Sequence, residues 1–299
     1  MGARWVDLVD PTREELRDAL PVSVDPDVVE SLEAGPVPTH GPRPLLESHG
    51  SYAFGIFVSI ELHEDGREEI REVDFVATPA VLLTVRKTPP DGSSFDTAVL
   101  HTAQENGSSV GLLVHRLVDE IADSYLALLE AVFEEIDALE DRIDDLEPRV
   151  VRQRLLEVRH RLLRSRKAVS ATRAAVRRVL DGRVEVGGDD LFPTEVEQMF
   201  GDTYDTLVRV TEELDIARDL LAGARDHLQA KIAQIQNEVG KKLTVIASLV
   251  LVPSFIVGFY GQNFEGVFDR EYWTIGVSTM LIVVSTLVQV ALFRWRRWI

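Results

Sequence analysis

A short polar segment closes a long apolar run near the C-terminal end of the chain. Tyr260 is followed by Gly261, Gln262 and Asn263, with no carboxylate among them. Glycine has no Cβ, so its carbonyl oxygen can be approached closely, and asparagine offers a neutral amide oxygen. The segment can therefore present neutral oxygen atoms to a cation. Glycine and asparagine also end helices in the left-handed conformation, so a helix C-cap is the alternative interpretation.

The other residues that could do chemistry argue against catalysis. Cysteine is absent, which excludes disulfides and thiolate metal sites. The seven histidines are scattered, with no pair three or four residues apart, so a histidine zinc site within one helix is not expected. The sequence shows no set of nucleophile, base and orienting group, and no Gly-x-x-x-x-Gly-Lys-Ser/Thr motif. We therefore expect neither an enzyme nor a cofactor.

The chain is strongly acidic. Asp and Glu total 50 against 32 Lys and Arg, which gives a formal net charge of −18 at pH 7. Proteins that bind nucleic acid usually carry a basic patch, so no nucleic-acid partner is expected. The charge suits a protein that handles cations, although solubility or a saline cytoplasm would explain it equally.

Two apolar segments predict transmembrane helices. Residues 243–261 and 273–293 contain no charged side chain, and at about 1.5 Å per residue each spans roughly 30 Å of hydrocarbon. A buried helical hairpin of a soluble protein is the alternative. Basic residues flank the pair and acidic residues dominate the connecting loop, so the positive-inside rule places both termini in the cytoplasm. The N-terminus lacks a signal-peptide pattern, and we expect a multi-pass protein of a prokaryotic plasma membrane.

The elements that must position these segments form an α+β domain followed by long helices. Alternating runs, a hairpin turn at Asp65-Gly66 and a capping box at Thr12 and Glu15 predict strands and a helix in the first part. Apolar residues three and four apart then predict a helical hairpin broken at Pro148, and a last helix of about 100 Å that runs into the membrane. The predicted divisions are a cytosolic α/β domain (1–108), a helical hairpin (109–193), a stalk helix (194–242), a first span (243–261), an external loop (262–272), a second span (273–293) and a basic tail (294–299).

The join between stalk and loop resembles the CorA family of divalent metal-ion (magnesium) transporters, whose hallmark is Tyr-Gly-Met-Asn-Phe. The resemblance extends to Asn237-Glu238, to Lys241-Lys242-Leu243-Thr244, and to the N-terminal segment from Trp5 to Thr12, so it covers nearly the whole chain. Gln262 departs from the hallmark methionine. The related ZntB zinc branch also keeps the glycine and asparagine while varying the middle residue, so the identity of the ion stays open between Mg²⁺ and Zn²⁺.

The resemblance implies a funnel-shaped homopentameric channel in the lipid bilayer. It would take up Mg²⁺, with Co²⁺ or Ni²⁺ as further substrates, under the membrane potential. Gly261, Gln262 and Asn263 would form the selectivity filter, with Gly261 and Asn263 holding the hydrated ion. The pore-lining residues would be Asn237, Leu243, Leu251 and Ser254. A non-conducting membrane-tethered sensor or scaffold is the alternative from another class.

The resemblance also implies closure by cytosolic Mg²⁺ bound between neighbouring subunits. Asp202 and Asp205 are the candidate regulatory ligands, together with the acidic stretch of residues 134–145. A solvated acidic helix face is the alternative for each of these side chains.

Overall fold

The computed structural model describes residues 3–36, 44–63, 66–90, 92–188, 191–261 and 271–298. The N-terminal part forms a mixed sheet in the order β1-β5-β4-β3-β2, in which only β1 and β5 pair in parallel among these residues. The predicted hairpin is confirmed as β3 and β4, although Asp65 of its turn lies outside the described residues. The strands are β1 (Arg4–Val9), β2 (Leu45–Ser48), β3 (Ala53–Leu62), β4 (Glu68–Ala77) and β5 (Val81–Lys87).

Two short helices, α1 (Arg13–Ala19) and α2 (Pro26–Glu33), cover one face of the sheet. The predicted capping box is confirmed, since the Thr12 N–H donates to Glu15 Oε2 at 2.9 Å and the Glu15 N–H donates to Thr12 Oγ1 at 3.3 Å. The shared core of this layer includes Leu16, Val28, Leu32, Phe54, Val76 and Leu83.

The opposite face packs against a long helix, α4 (Val110–Asp141), reached through α3 (Ala98–Glu105). The Tyr125 hydroxyl of α4 donates to Val58 O at 2.6 Å and is fully buried. Beneath it the rings of Phe57 and Phe75 stack with centroids 6.0 Å apart. Gly55 is required here, because a Cβ at this position would lie 2.4 Å from the Phe75 ring.

The helix α5 (Pro148–Leu180) follows α4 across Pro148, as predicted. The basic side chains of α5 and the acidic end of α4 form one described ion pair, Arg161 with Glu135. The other arginines reach further: Arg164 pairs with Glu68 of β4, Arg166 with Asp215, and Arg178 with Glu47 of β2. The helix therefore ties several elements together rather than one partner helix.

Two further helices complete the chain. The predicted continuous helix is confirmed as α6 (Thr194–Tyr260), 67 residues with Pro253 inside it, which corresponds to about 100 Å. The last helix, α7 (Glu271–Trp295), begins inside the predicted loop 262–272 and ends inside the predicted tail 294–299. Helical hydrogen bonding continues past the last apolar residue, so hydropathy marks the span and not the helix ends. The chain divides into an N-terminal unit (Met1–Arg225) and a C-terminal unit (Asp226–Ile299), and α6 belongs to both.

Candidate ion pathway and acidic site

The predicted filter begins at the last turn of α6. The Gly261 N–H donates to Val257 O at 2.8 Å, which continues the helical pattern. Gly261 does not adopt the left-handed conformation, so a left-handed cap at this position is wrong. A Cβ here would lie 3.0 Å from Val257 O, the carbonyl that the Gly261 N–H already bonds. Gln262 and Asn263 lie outside the described residues.

Three of the predicted pathway residues fall on one row of α6. Ser254 and Gly261 follow Leu243 by 254 − 243 = 11 and 261 − 243 = 18 residues. At about 100° per residue these separations complete about three and five turns, so the three positions stack along one side of the helix. All three are exposed within the single chain. The Ser254 hydroxyl donates to Val250 O at 2.7 Å, so its oxygen keeps accepting capacity toward the exposed side.

The other two predicted pore residues are rotated away from this row. By the same helical geometry Leu251 lies about 80° and Asn237 about 120° from Leu243 around the axis. Both are exposed, and Leu251 is 69% exposed. These two assignments came from resemblance by position, and the single helix does not align them with Leu243, Ser254 and Gly261.

Partly covered positions lie on the opposite side of the same helix. Val245 is buried, and Leu249, Val252 and Ile256 are half-buried at spacings of three and four residues. The partly covered positions of α7 show the same spacing: Ser278, Ile282, Ser285, Gln289 and Phe293. We interpret each row as the side of its helix that packs within the C-terminal unit.

The rest of both helices is apolar and uncovered. Two described helices contain a stretch long and apolar enough to cross a membrane, and 6% and 0% of the residues in those stretches are buried. Side chains such as Phe255 and Met280 are 71% and 68% exposed. A large apolar surface of this kind needs lipid or other protein around it. Two candidate spans are therefore present at the predicted apolar segments, and their surface fits a bilayer better than a soluble hairpin.

The predicted regulatory residues lie near the start of α6. Asp202 and Asp205 are both exposed. Between them, buried Thr203 donates its hydroxyl proton to Asp119 Oδ1 of α4 at 2.9 Å, while its oxygen lies 3.2 Å from His115 Nε2. Burial lowers the pKa of His115, which keeps the ring neutral.

This contact reveals acidic residues that the sequence reasoning missed. Glu120 and Asp123 of α4 have raised pKa values, because burial and neighbouring carboxylates disfavour their ionisation; Asp119 acts on both. The signal was available, since Asp119 and Asp123 are four residues apart and thus on one face of a predicted helix. The proposed stretch 134–145 begins further along α4 and continues past its end at Asp141, and its Glu135 pairs with Arg161.

A single copy of the chain does not complete a metal site in the part that the structure describes. No group of three or more His, Asp or Glu side chains there is arranged to hold a metal ion. Asp119 and Asp202 lie beside the contact between α4 and α6 and form a small acidic patch there. Glu120 and Asp123 border a pocket with Ser59, Arg71 and Asp96. Acidic side chains of this kind attract divalent cations and can supply ligands to a site completed elsewhere.

Comparison with known proteins covers the whole architecture. Residues 1–296 match the family model described as CorA-like Mg²⁺ transporter protein. The cobalt/magnesium transport protein CorA of Thermotoga maritima is 25% identical over 263 residues, which cover 86% of this chain and 73% of that protein. The complete structure of the CorA magnesium transporter from Methanocaldococcus jannaschii matches with a TM-score of 0.78 at 23% identity, covering 99% of this chain and 91% of that chain.

The comparisons support the zinc alternative less than they support magnesium transport. The ZntB cytoplasmic domain from Vibrio parahaemolyticus matches with a TM-score of 0.57 at 14% identity, covering 78% of this chain and 90% of that chain, which shows a shared fold. The match in family and sequence is to magnesium and cobalt transport proteins. The predicted α+β domain, long helices and divalent-cation transport function are confirmed, and the chain belongs to the family of CorA-like Mg²⁺ transporters.

Proposed function

We propose that this chain assembles into a pentameric channel through which Mg²⁺ enters a prokaryotic cell across the plasma membrane. The observation that carries the proposal is the uncovered row of α6 formed by Leu243, Ser254 and Gly261, which leads to the Gly-Gln-Asn segment. Both termini are cytoplasmic in this proposal, in keeping with the basic residues that flank the two spans.

The row supports a pathway because its polar groups are neutral. Mg²⁺ holds its octahedral water shell tightly, so a pathway can recognise the hydrated ion through amide, hydroxyl and carbonyl oxygens without stripping it. Ser254 presents a hydroxyl oxygen, and Gly261 leaves its backbone uncovered by a side chain. Asn263 follows in the sequence and supplies the amide oxygen of the filter. Leu243 closes the row at the cytosolic side, where an apolar ring stops ions by excluding water.

One helix cannot enclose a pathway, so several copies are required. The exposed row of a single α6 becomes a lumen only when other copies turn the same row toward a common axis. A closed ring of this kind has rotational symmetry and buries the row from lipid. Native mass measurement in detergent tests the pentamer, and a stable monomer or dimer contradicts it.

The membrane potential is sufficient to drive uptake. A divalent ion that moves inward through 100 mV gains about 4.6 kcal/mol, which supports roughly a thousandfold accumulation. Such a path must close when the cell is replete. The acidic patch beside Thr203, together with Asp202 and Asp205, supplies ligands for cytosolic Mg²⁺ that bridges neighbouring subunits and holds the closed state.

Ion flux into liposomes that contain the purified protein tests the function. We expect potential-dependent entry of Mg²⁺, measured with a trapped fluorescent indicator, and weaker entry of Co²⁺ and Ni²⁺. Entry of Zn²⁺ in preference to Mg²⁺, or coupled to protons, would identify the zinc alternative. Assembled protein without flux of any divalent ion would favour a non-conducting sensor or scaffold.

A further inference from the structure

Three ionisable side chains are buried together between the sheet and α2. Lys87 of β5 places its Nζ 2.5 Å from Glu72 Oε1 and 2.8 Å from Asp74 Oδ2, both of β4. The same Nζ donates to the backbone carbonyl of Ser31 in the last turn of α2, at 2.9 Å. Asp74 is 0% exposed and the other two are 4% exposed. The ammonium group therefore donates hydrogen bonds to Glu72 and Ser31 and forms an ion pair with Asp74.

The cluster has one negative charge too many. With both carboxylates ionised, two negative charges face a single positive one in a site without solvent. Glu72 Oε2 and both carboxylate oxygens of Asp74 have no hydrogen-bond partner among the described residues. Burying an uncompensated charge is far more costly than burying a neutral carboxylic acid. A single proton removes the excess charge and supplies the missing hydrogen-bond donor, and Asp74 and Glu72 are close enough to share it.

The surrounding elements offer the cluster no other charge within the described residues. On α2, Glu33 is paired with Arg13 of α1 at 2.9 Å, while Asp27 and Glu30 are exposed. Asp10, after β1, accepts from the Thr88 N–H. The neighbouring strand β3 contributes apolar residues opposite the two carboxylates, Ile56 and Val58. The electrostatic influences on Asp74 come from Lys87 and Glu72.

We propose that Asp74 and Glu72 share one proton at neutral pH, and that loss of this proton at alkaline pH releases the C-terminal end of α2 from the sheet. The shared proton lets Lys87 hold the last turn of α2, where a cation also interacts favourably with the helix dipole. Without the proton, the excess charge draws water toward the cluster. The element that covers the cluster, α2, is then the part that lifts.

The direction of titration agrees with this geometry. Burial, reinforced by the charge of Glu72 and opposed by Lys87, raises the pKa of Asp74 to about 8 from 3.8. A carboxyl group whose pKa is raised in the folded state stabilises that state fully below its unfolded pKa. The contribution is lost as the pH rises toward the folded pKa. The window of loss therefore ends near pH 8, and opening of α2 increases from neutral to alkaline pH.

Hydrogen exchange of the full-length protein in detergent tests the proposal. With a pKa of about 8, the opening equilibrium of α2 should rise about tenfold from pH 7 to pH 9, after correction for the chemical exchange rate. Asp74→Asn and Glu72→Gln each leave one carboxylate with one ammonium. Both variants should abolish the pH dependence. If one of them does not fold, the other decides.

Glu69→Gln is the matched control, because Glu69 is a buried carboxylate of the same strand. Burial raises its pKa, but Arg71, the Ser93 N–H and His63 outweigh that effect and lower the pKa to about 2. Glu69 is therefore ionised throughout the window, and this variant should keep the tenfold change in α2. Exchange that is independent of pH in the wild type overturns the proposal, as does a change of equal size in Asp74→Asn and Glu72→Gln.

Discussion

The two units of the chain differ in where their groups find partners. In the N-terminal unit, Phe57 and Phe75 are 0% exposed and Lys87 has three partners within the chain. In the C-terminal unit, Leu251 and Phe255 are 69% and 71% exposed, and their partners must come from lipid or other copies. The core of the N-terminal unit finds its packing partners within the chain, whereas the apolar surface of the C-terminal unit needs lipid or other copies.

This difference predicts how substitutions should act. A change in the core of the N-terminal unit alters contacts that are already made, so it should change the free energy of unfolding. A change on the exposed row of α6 removes no contact within the chain, so it should leave folding intact and change transport. The free energy of unfolding and the rate of transport can both be measured on the same purified protein.

The largest effect is expected for Asn263→Ala. In the proposed pentamer, the Asn263 amides of the five subunits form a ring of neutral oxygen atoms at the mouth of the pathway. Their removal should reduce divalent uptake into liposomes to the rate of empty liposomes. The free energy of unfolding of the N-terminal unit and the native mass should not change. Full transport by an assembled Asn263→Ala protein would show that the Gly-Gln-Asn segment only ends the first membrane helix.

The reverse pattern is expected for Gly55→Ala. Its Cβ would lie 2.4 Å from the ring of Phe75, which is fully buried, so we expect a loss of about 1–3 kcal/mol from overpacking. Denaturant unfolding measures it, while uptake per assembled channel at low temperature should stay at the wild-type rate. Gly201→Ala is the control, because open space surrounds that helical position and alanine there should gain about 0.5–1 kcal/mol.

How much the sequence reveals depends on the distance between partners. The capping box at Thr12 and the β3–β4 hairpin are local, and both were predicted. The parallel pairing of β1 with β5 joins residues 81 − 4 = 77 apart. Arg86 supports it by donating to Asp7 Oδ2 at 2.6 Å. Nothing in a local pattern specifies such a partner. The short α2, α3 and β2 were missed for a related reason, because each buries too few residues to show a period.

The same reasoning applies to the candidate site. The family resemblance singled out Leu243, Ser254 and Gly261, and helical geometry then shows that these three positions align. Asp119 reaches Asp202 only through Thr203, a contact between residues 84 apart. The sequence proposed Asp202 and Asp205, whereas Asp119 of α4, which accepts from Thr203, required the fold.

A smaller effect is expected at the acidic patch beside the contact between α4 and α6, where the two readouts should meet. If Mg²⁺ binds between subunits there, millimolar Mg²⁺ should protect the N-terminal unit of the full-length protein from protease, and Asp202→Asn with Asp205→Asn should weaken that protection severalfold. Glu212→Gln with Asp219→Asn removes the same charge from exposed positions of the same helix and should preserve it. Equal cleavage with and without Mg²⁺ would leave a solvated acidic face.

The smallest effect is expected for Gln262→Met, which should change ion preference without changing stability. This substitution restores the commoner residue of the family beside the filter, so stability, assembly and Mg²⁺ flux should stay near their wild-type values. A thioether is a softer ligand than an amide oxygen, so the ratio of Zn²⁺ to Mg²⁺ entry should change even though total flux does not. Competition between the two ions in liposomes measures the ratio. Loss of Mg²⁺ flux in an assembled Gln262→Met protein would mean that the glutamine amide itself is required, and that this filter recognises its ion through two neighbouring amides rather than one.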